Sequence, residues 1–216
     1  MTNEILTLEA VDADGAIREL AAEAAGDTRA GFLAKAGLLG GGAFGVSALL
    51  GTGEALAAGK RDTSILNYAL TLEYLEAEFY TRAENSGKLK GQLAQFAKVV
   101  GAHERAHVKA LKAALGRKAV KKPKFDFKGV TKQQKAFLET AIVLEATGVS
   151  AYAGQAPRIK SDAVLKSALA IHAVEARHAA WALQLAGKKG APKAFDAPLS
   201  MKQVLKAVGK TGFIKA

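Results

Sequence analysis

The feature that most constrains this chain is a pattern that occurs twice in the same setting. "VGAHERAHVKAL" (100–111) lies on "IHAVEARHAAWAL" (171–183) at an offset of about 71 residues, which puts Glu104 on Glu175 and His107 on His178. An earlier segment repeats at an offset of about 72. "YALTLEYLEAEFY" (68–80) lies on "TAIVLEATGVSAY" (140–152), so Glu73 falls on Glu145 and Tyr80 on Tyr152. A segment pair repeated in order predicts two copies of one supersecondary unit.

The second copy decides how the first is read. Taken alone, His103-Glu104-x-x-His107 matches the H-E-x-x-H string of zinc metalloproteases. That chemistry needs both histidines as ligands and leaves the Glu free as a base. Val174 stands opposite His103, so the repeat keeps only Glu-x-x-His. The Glu then becomes a ligand, and His103 is expected at the surface or the rim. The protease reading would need a distant third ligand such as Asp126, in the loop after Pro123, and is much the weaker one.

The repeated unit reads as a helical hairpin. Half the residues are hydrophobic, and few of them are aromatic, which favours helix over sheet. Apolar positions on one face predict a first helix from a cap at Asp62-Thr63-Ser64 to Gly87, and a second from about Leu89 to Leu115. After a basic loop, "GRKAVKKPKFDFKGV", Thr131 is the expected cap of a third helix reaching about Gln155. Ser161-Asp162 should cap a fourth, to about Ala186, and Ser200 a short closing helix. The expected organisation is an N-terminal extension over 1–60, an all-α four-helix bundle over 61–190 with a long crossover between helices 2 and 3, and a loop and short helix over 191–216 packed on it.

Residues three apart on a helix share a face, so Glu104 with His107, and Glu175 with His178, can each grip one ion. Glu73 and Glu145 add one carboxylate from the other helix of each pair. Four carboxylates and two imidazoles in a two-fold relation are the ligand set of carboxylate-bridged di-iron and di-manganese bundles. Hard oxygens with one nitrogen each suit two Fe or two Mn ions. Four anionic groups also offset the repulsion between two nearby divalent ions.

Several neighbours are candidates for supporting roles. Glu76, one turn after Glu73, is a candidate seventh carboxylate or proton relay; its repeat counterpart is Gly148, which would make the site asymmetric. Tyr80 and Tyr152, two turns beyond Glu73 and Glu145, could bond the carboxylates or simply fill the core. His172 lies one turn before Glu175 and is a weaker candidate. Glu78 should be at the surface, and Arg105 and Arg177 should face outward or pair with neighbouring acids.

Residues 63–186 resemble the ferritin-like superfamily, and the "FDF" loop, "LEATGVSAY", "VEARHAAWAL" and "FDAPLS" resemble its bacterial ferritin-like domain family. The resemblance implies a metal site at Glu73, Glu104, His107, Glu145, Glu175 and His178. It leaves the activity open among oxidase, peroxidase, catalase and storage roles. Cysteine is absent, which excludes disulfides, thiolate-bound metals and a fused rubredoxin-type relay. The leading expectation is redox chemistry on peroxide, dioxygen or Fe(II). The alternative is a non-enzymatic exported protein that sequesters metal or protects against stress such as desiccation.

Two further expectations concern partners and location. "TRAGFLAKAGLLGGGAFGVSALLGTGEALAAGK" (28–60) reads as an export signal with a cleavage site near Ala57. It resembles a twin-arginine signal in which Ala30 replaces the second Arg. A cytoplasmic protein with an N-terminal extension is the alternative. The net charge of +11 is concentrated after residue 57, where it suggests a soluble surface, weak contact with anionic surfaces and a possible homo-oligomer. No motif reads nucleic acid, so no specific nucleic-acid recognition is expected.

Overall fold

The computed structural model describes residues 59–215, so the expected export signal over 28–60, apart from its last two residues, and the cleavage site near Ala57 lie outside the described residues. Four long helices form the bundle: α1 (Lys60–Ser86), α2 (Gly91–Leu115), α3 (Gln134–Gln155) and α4 (Asp162–Leu185). A short helix, α5 (Met201–Thr211), follows. The pairs α1–α2 and α3–α4 are the two repeats, each closed by a short loop, and a long crossover over 116–133 joins them. This is the all-α architecture expected from the sequence.

Local chemistry explains most of the boundaries. Gly87 takes a left-handed conformation with φ of 61°, and its N–H bonds the Glu84 carbonyl to end α1. Ser161 caps α4 by accepting from the Val164 N–H. Ser200 and Gln203 form a reciprocal capping box at the start of α5.

Two expected caps do different work. The first helix begins before Asp62, which is buried, and the Asp62 carboxylate instead accepts the Lys160 and Ser161 N–H groups at 3.0 and 2.9 Å. It thereby ties the start of α1 to the entry of α4. Thr131 sits buried in a 3₁₀ turn over Val130–Lys132, and α3 starts later, at Gln134. The α3 start shifts because the end of the crossover packs as a turn of its own, whereas Asp62 is drawn to the entry of α4.

The crossover is held at three points. Asn67 of α1 donates to the Lys118 carbonyl and accepts from the Val120 N–H. Phe125 and Phe127 turn inward on either side of exposed Asp126. There β1 (Lys124–Phe125) pairs antiparallel with β2 (Ile214–Lys215). This two-residue ribbon was not expected, because it is too short to show an alternating pattern. Phe127 meets Phe79 and Phe213 with ring centroids 5.5 and 5.3 Å apart, which fixes the register.

The segment before α5 runs along α3, with the Leu199 N–H bonding the Ser150 carbonyl at 3.0 Å. Gly154 permits this approach, since a Cβ there would run into the Leu199 carbonyl. Gly154→Ala should therefore cost about 1–3 kcal/mol through overpacking, read as a lower urea midpoint with native helicity retained below the transition.

Candidate metal centre

One layer of the bundle is built from carboxylates. Glu73 on α1, Glu104 on α2, Glu145 on α3 and Glu175 on α4 are each 0% exposed, and His178 is buried beside them. Charged side chains are almost never buried unless paired. Among the described residues, the basic groups paired with them are His107 and His178. Their ligand atoms form two groups: Glu73, Glu104, His107 and Glu175, and then Glu104, Glu145, Glu175 and His178. Within each group the atoms lie within 4.8 Å of one another.

The division of oxygens is two-fold. Nδ1 of His107 is 3.2 Å from Glu73 Oε2, Glu104 Oε2 and Glu175 Oε1. Nδ1 of His178 is 3.0 Å from Glu104 Oε1, 3.2 Å from Glu145 Oε2 and 3.9 Å from Glu175 Oε2. Glu104 and Glu175 thus give one oxygen to each group, while Glu73 and Glu145 belong to one group apiece. A single N–H cannot satisfy three oxygens. Glu104 Oε1, Glu145 Oε2, both Glu175 oxygens and His178 Nδ1 are buried without a hydrogen bond. Such atoms are costly unless something shared satisfies them, and a cation at each focus would do so.

The remaining oxygens of the two unshared carboxylates are taken crosswise. Tyr80 donates to Glu145 Oε1, and Tyr152 donates to Glu73 Oε1 at 2.6 Å. Each repeat's tyrosine therefore orients the other repeat's glutamate. Both rings are also deep in the core, with Tyr80 against Phe79, Phe96 and Phe137.

Residues 61–188, well over half of the chain, match the ferritin-like domain family. The chain belongs to that family. No curated protein matches it closely enough to narrow the assignment.

Electrostatics within the ferritin-like bundle follow from burial and crowding. Burial, then the charges of neighbouring carboxylates, pushes Glu104 and Glu175 well above the usual carboxylate range. Burial opposes ionisation of Glu73 too, but the adjacent His107 and the bonds from His107, Glu104 and Tyr152 hold it below that range. Burial likewise disfavours the His107 cation, yet Glu73, Glu104 and Glu175 outweigh it and raise that ring. Tyr80 and Tyr152 are raised by burial and by Glu145 and Glu73 respectively, so both stay donors.

Losing one of these donors has two readouts. Tyr152→Phe should cost the metal-free protein about 1–3 kcal/mol by leaving a buried oxygen unpaired, measured by thermal melting. It should also weaken metal retention by about 10-fold or more against a competing chelator.

The other candidates sort by position. Glu76 is buried, 3% exposed, and is raised by burial and then by Glu175, Glu145, Glu104 and Glu73. Gly148 makes room for it. A Cβ at Gly148 would stand 3.1 Å from Glu175 Oε2 and 3.4 Å from Glu76 Oε1. The bundle thus holds a fifth carboxylate against one side of the site, in neither ligand group. His172 is half-buried with no bonded partner for Nε2, and it too stands outside both groups.

His103 is exposed at the rim, as expected, but its Nδ1 lies 2.9 Å from His178 Nε2, a contact that reading from sequence did not foresee. A cleft of about 380 Å³ between α2 and α4 is lined by His103, His107, Val174, Arg177, His178 and Trp181. It opens to solvent beside both His107 and His178. Arg105 pairs with Glu84 at 2.8 Å, and Glu78 is partly covered by Arg82 and Lys122. Asp126 bonds the Lys128 N–H and pairs with Lys215, away from both ligand groups, which removes the third ligand that the protease reading required.

Proposed function

We propose that this ferritin-like protein holds two redox-active divalent ions, iron or manganese, and is an oxidoreductase acting on peroxide, dioxygen or Fe(II). The observation that carries this is the sharing of Glu104 and Glu175 between two four-residue groups, each with its own glutamate and histidine. Four carboxylates balance the charge of two divalent ions, and oxygen with imidazole donors suits iron and manganese over softer metals. When bound, such ions supply electron transfer to or from a small substrate and polarise an oxygen atom held on them.

The chain's own groups do the rest. Tyr80 and Tyr152 fix the directions of Glu145 and Glu73, so the site is organised before an ion arrives. Glu76 can hold a proton on its buried carboxyl beside Glu175. The α2–α4 cleft admits a small molecule to the side of the site where His107 and His178 lie.

Protein purified from cells supplied with both metals should carry two ions per chain by elemental analysis, and should consume peroxide, dioxygen or Fe(II) faster than a metal-free control. Fewer than one ion per chain would overturn the metal assignment. Two ions with no turnover of any of the three would instead favour the sequestering role. We also propose export through the N-terminal segment. A mature protein beginning near Ala58 in an extracytoplasmic fraction would support it, and an intact N-terminus in the cytoplasm would refute it.

A further inference from the structure

Two ion positions built from one repeat ought to be alike, but besides Glu76 against Gly148 a second difference between the copies falls at the site. His103 and Val174 occupy equivalent places, and both line the α2–α4 cleft. His103 reaches the ligand histidine of the other repeat: its Nδ1 is 2.9 Å from His178 Nε2. The ring planes are 16° apart, yet the centroids are 5.1 Å apart, so the rings meet edge to edge through their nitrogens and not face to face. Val174, its counterpart in the repeat, lines the same cleft as His107 and offers no hydrogen-bonding side-chain atom.

That contact sets a tautomer. His178 Nδ1 faces Glu104 Oε1 and Glu145 Oε2, so an ion there needs a lone pair on Nδ1 and the ring proton on Nε2. The Nε2–H then donates to His103 Nδ1, and the proton of His103 sits on its own Nε2. A ligand histidine whose second nitrogen is held by an acceptor is oriented and made a better donor before the metal arrives. His107 lacks such a partner in Val174, and its side chain keeps 12% exposure against 4% for His178.

We propose that His103 is a positioning residue that makes the two ion positions unequal, with the Glu145–His178 position binding its ion more tightly than the Glu73–His107 position. This rests on the dinuclear reading above. It assigns a role to the one histidine of the HERAH string that the repeat does not preserve.

Calorimetric addition of Co(II) to the metal-free full chain tests it. Two resolved steps are expected, the tighter lost in His178→Ala and the weaker lost in His107→Ala. His103→Leu, at an exposed position where the fold should persist by circular dichroism, should weaken the tighter step by about 10–100-fold and leave the weaker within about twofold. His103→Gln, which restores an acceptor, should recover part of that loss. Two indistinguishable steps in the unaltered chain, or a His103→Leu chain with both steps unchanged or equally weakened, would overturn the inference and leave the dinuclear reading standing. No Co(II) uptake by the unaltered chain would instead sink the dinuclear reading, and this inference with it.

Discussion

Glu104→Gln should make the metal-free protein more stable and the metal-loaded protein far less so. In the metal-free chain Glu104 is 0% exposed, crowded by other carboxylates, and has an oxygen with no hydrogen bond. An amide of the same shape needs no proton to stay neutral, so it removes the cost of keeping Glu104 protonated or of burying its charge there. Because the unfolded chain releases that proton and the folded chain does not, the amide should stabilise the metal-free protein at neutral pH by about 1–4 kcal/mol. A chain of this size would then melt higher by roughly 2–4 °C for each kcal/mol. With ions the sign reverses, because Glu104 gives one oxygen to each ligand group and its loss damages both. Glu104→Gln should retain fewer than one ion per chain, and Glu104→Gln with Glu175→Gln should retain none. Differential scanning calorimetry with and without metal reads both signs on one sample. A purely structural polar cluster would give destabilisation in both states.

The second large effect is the response of the metal-free protein to pH. Glu76, Glu104 and Glu175 are held above the usual carboxylate range by burial and mutual repulsion. The folded chain therefore keeps protons that the unfolded chain releases, and its stability falls as pH rises above about 4.3, the ordinary glutamate value. His107 is raised, so its stabilising contribution is full below the ordinary histidine value and is lost as pH climbs through the folded value. Glu73 is lowered and works the other way, helping above the ordinary carboxylate value and failing on acidification. Three carboxyls and a histidine outweigh one. The metal-free protein should lose on the order of 2–4 kcal/mol between about pH 5 and 8, followed by urea unfolding. Bound ions compete with those same protons, so the loaded protein should gain stability over the same interval. Parallel curves for the two forms would contradict the proposed use of these carboxylates.

Much of this arrangement can be read from the chain because helices have a fixed period. Glu-x-x-His at positions three apart puts both donors on one face, and its repetition about 71 residues later implies a facing copy. The tyrosines two turns along the helix from each unshared glutamate did not reveal their crosswise bonds, since spacing says nothing about which partner across the bundle a side chain meets. Asp62 and Thr131 look like helix caps in sequence, but α1 already begins before Asp62, and a 3₁₀ turn of its own holds Thr131 ahead of α3. The β1–β2 ribbon is two residues long on each side and leaves no pattern to detect. The departures from the repeat were informative in a different way. Glu76 against Gly148, and His103 against Val174, are two places where the halves differ, and in the structure both lie beside the ligand groups.

The central claim is that two ions are held by shared Glu104 and Glu175, with Glu73 and His107 completing one position and Glu145 and His178 the other. Crystals of the protein grown with Mn(II) or Fe(II), measured at the absorption edge of the metal, test it most directly. The account expects two anomalous peaks inside the bundle, each flanked by one oxygen from Glu104, one from Glu175, an unshared glutamate and Nδ1 of a histidine. A single peak, or peaks outside this carboxylate layer, would contradict it.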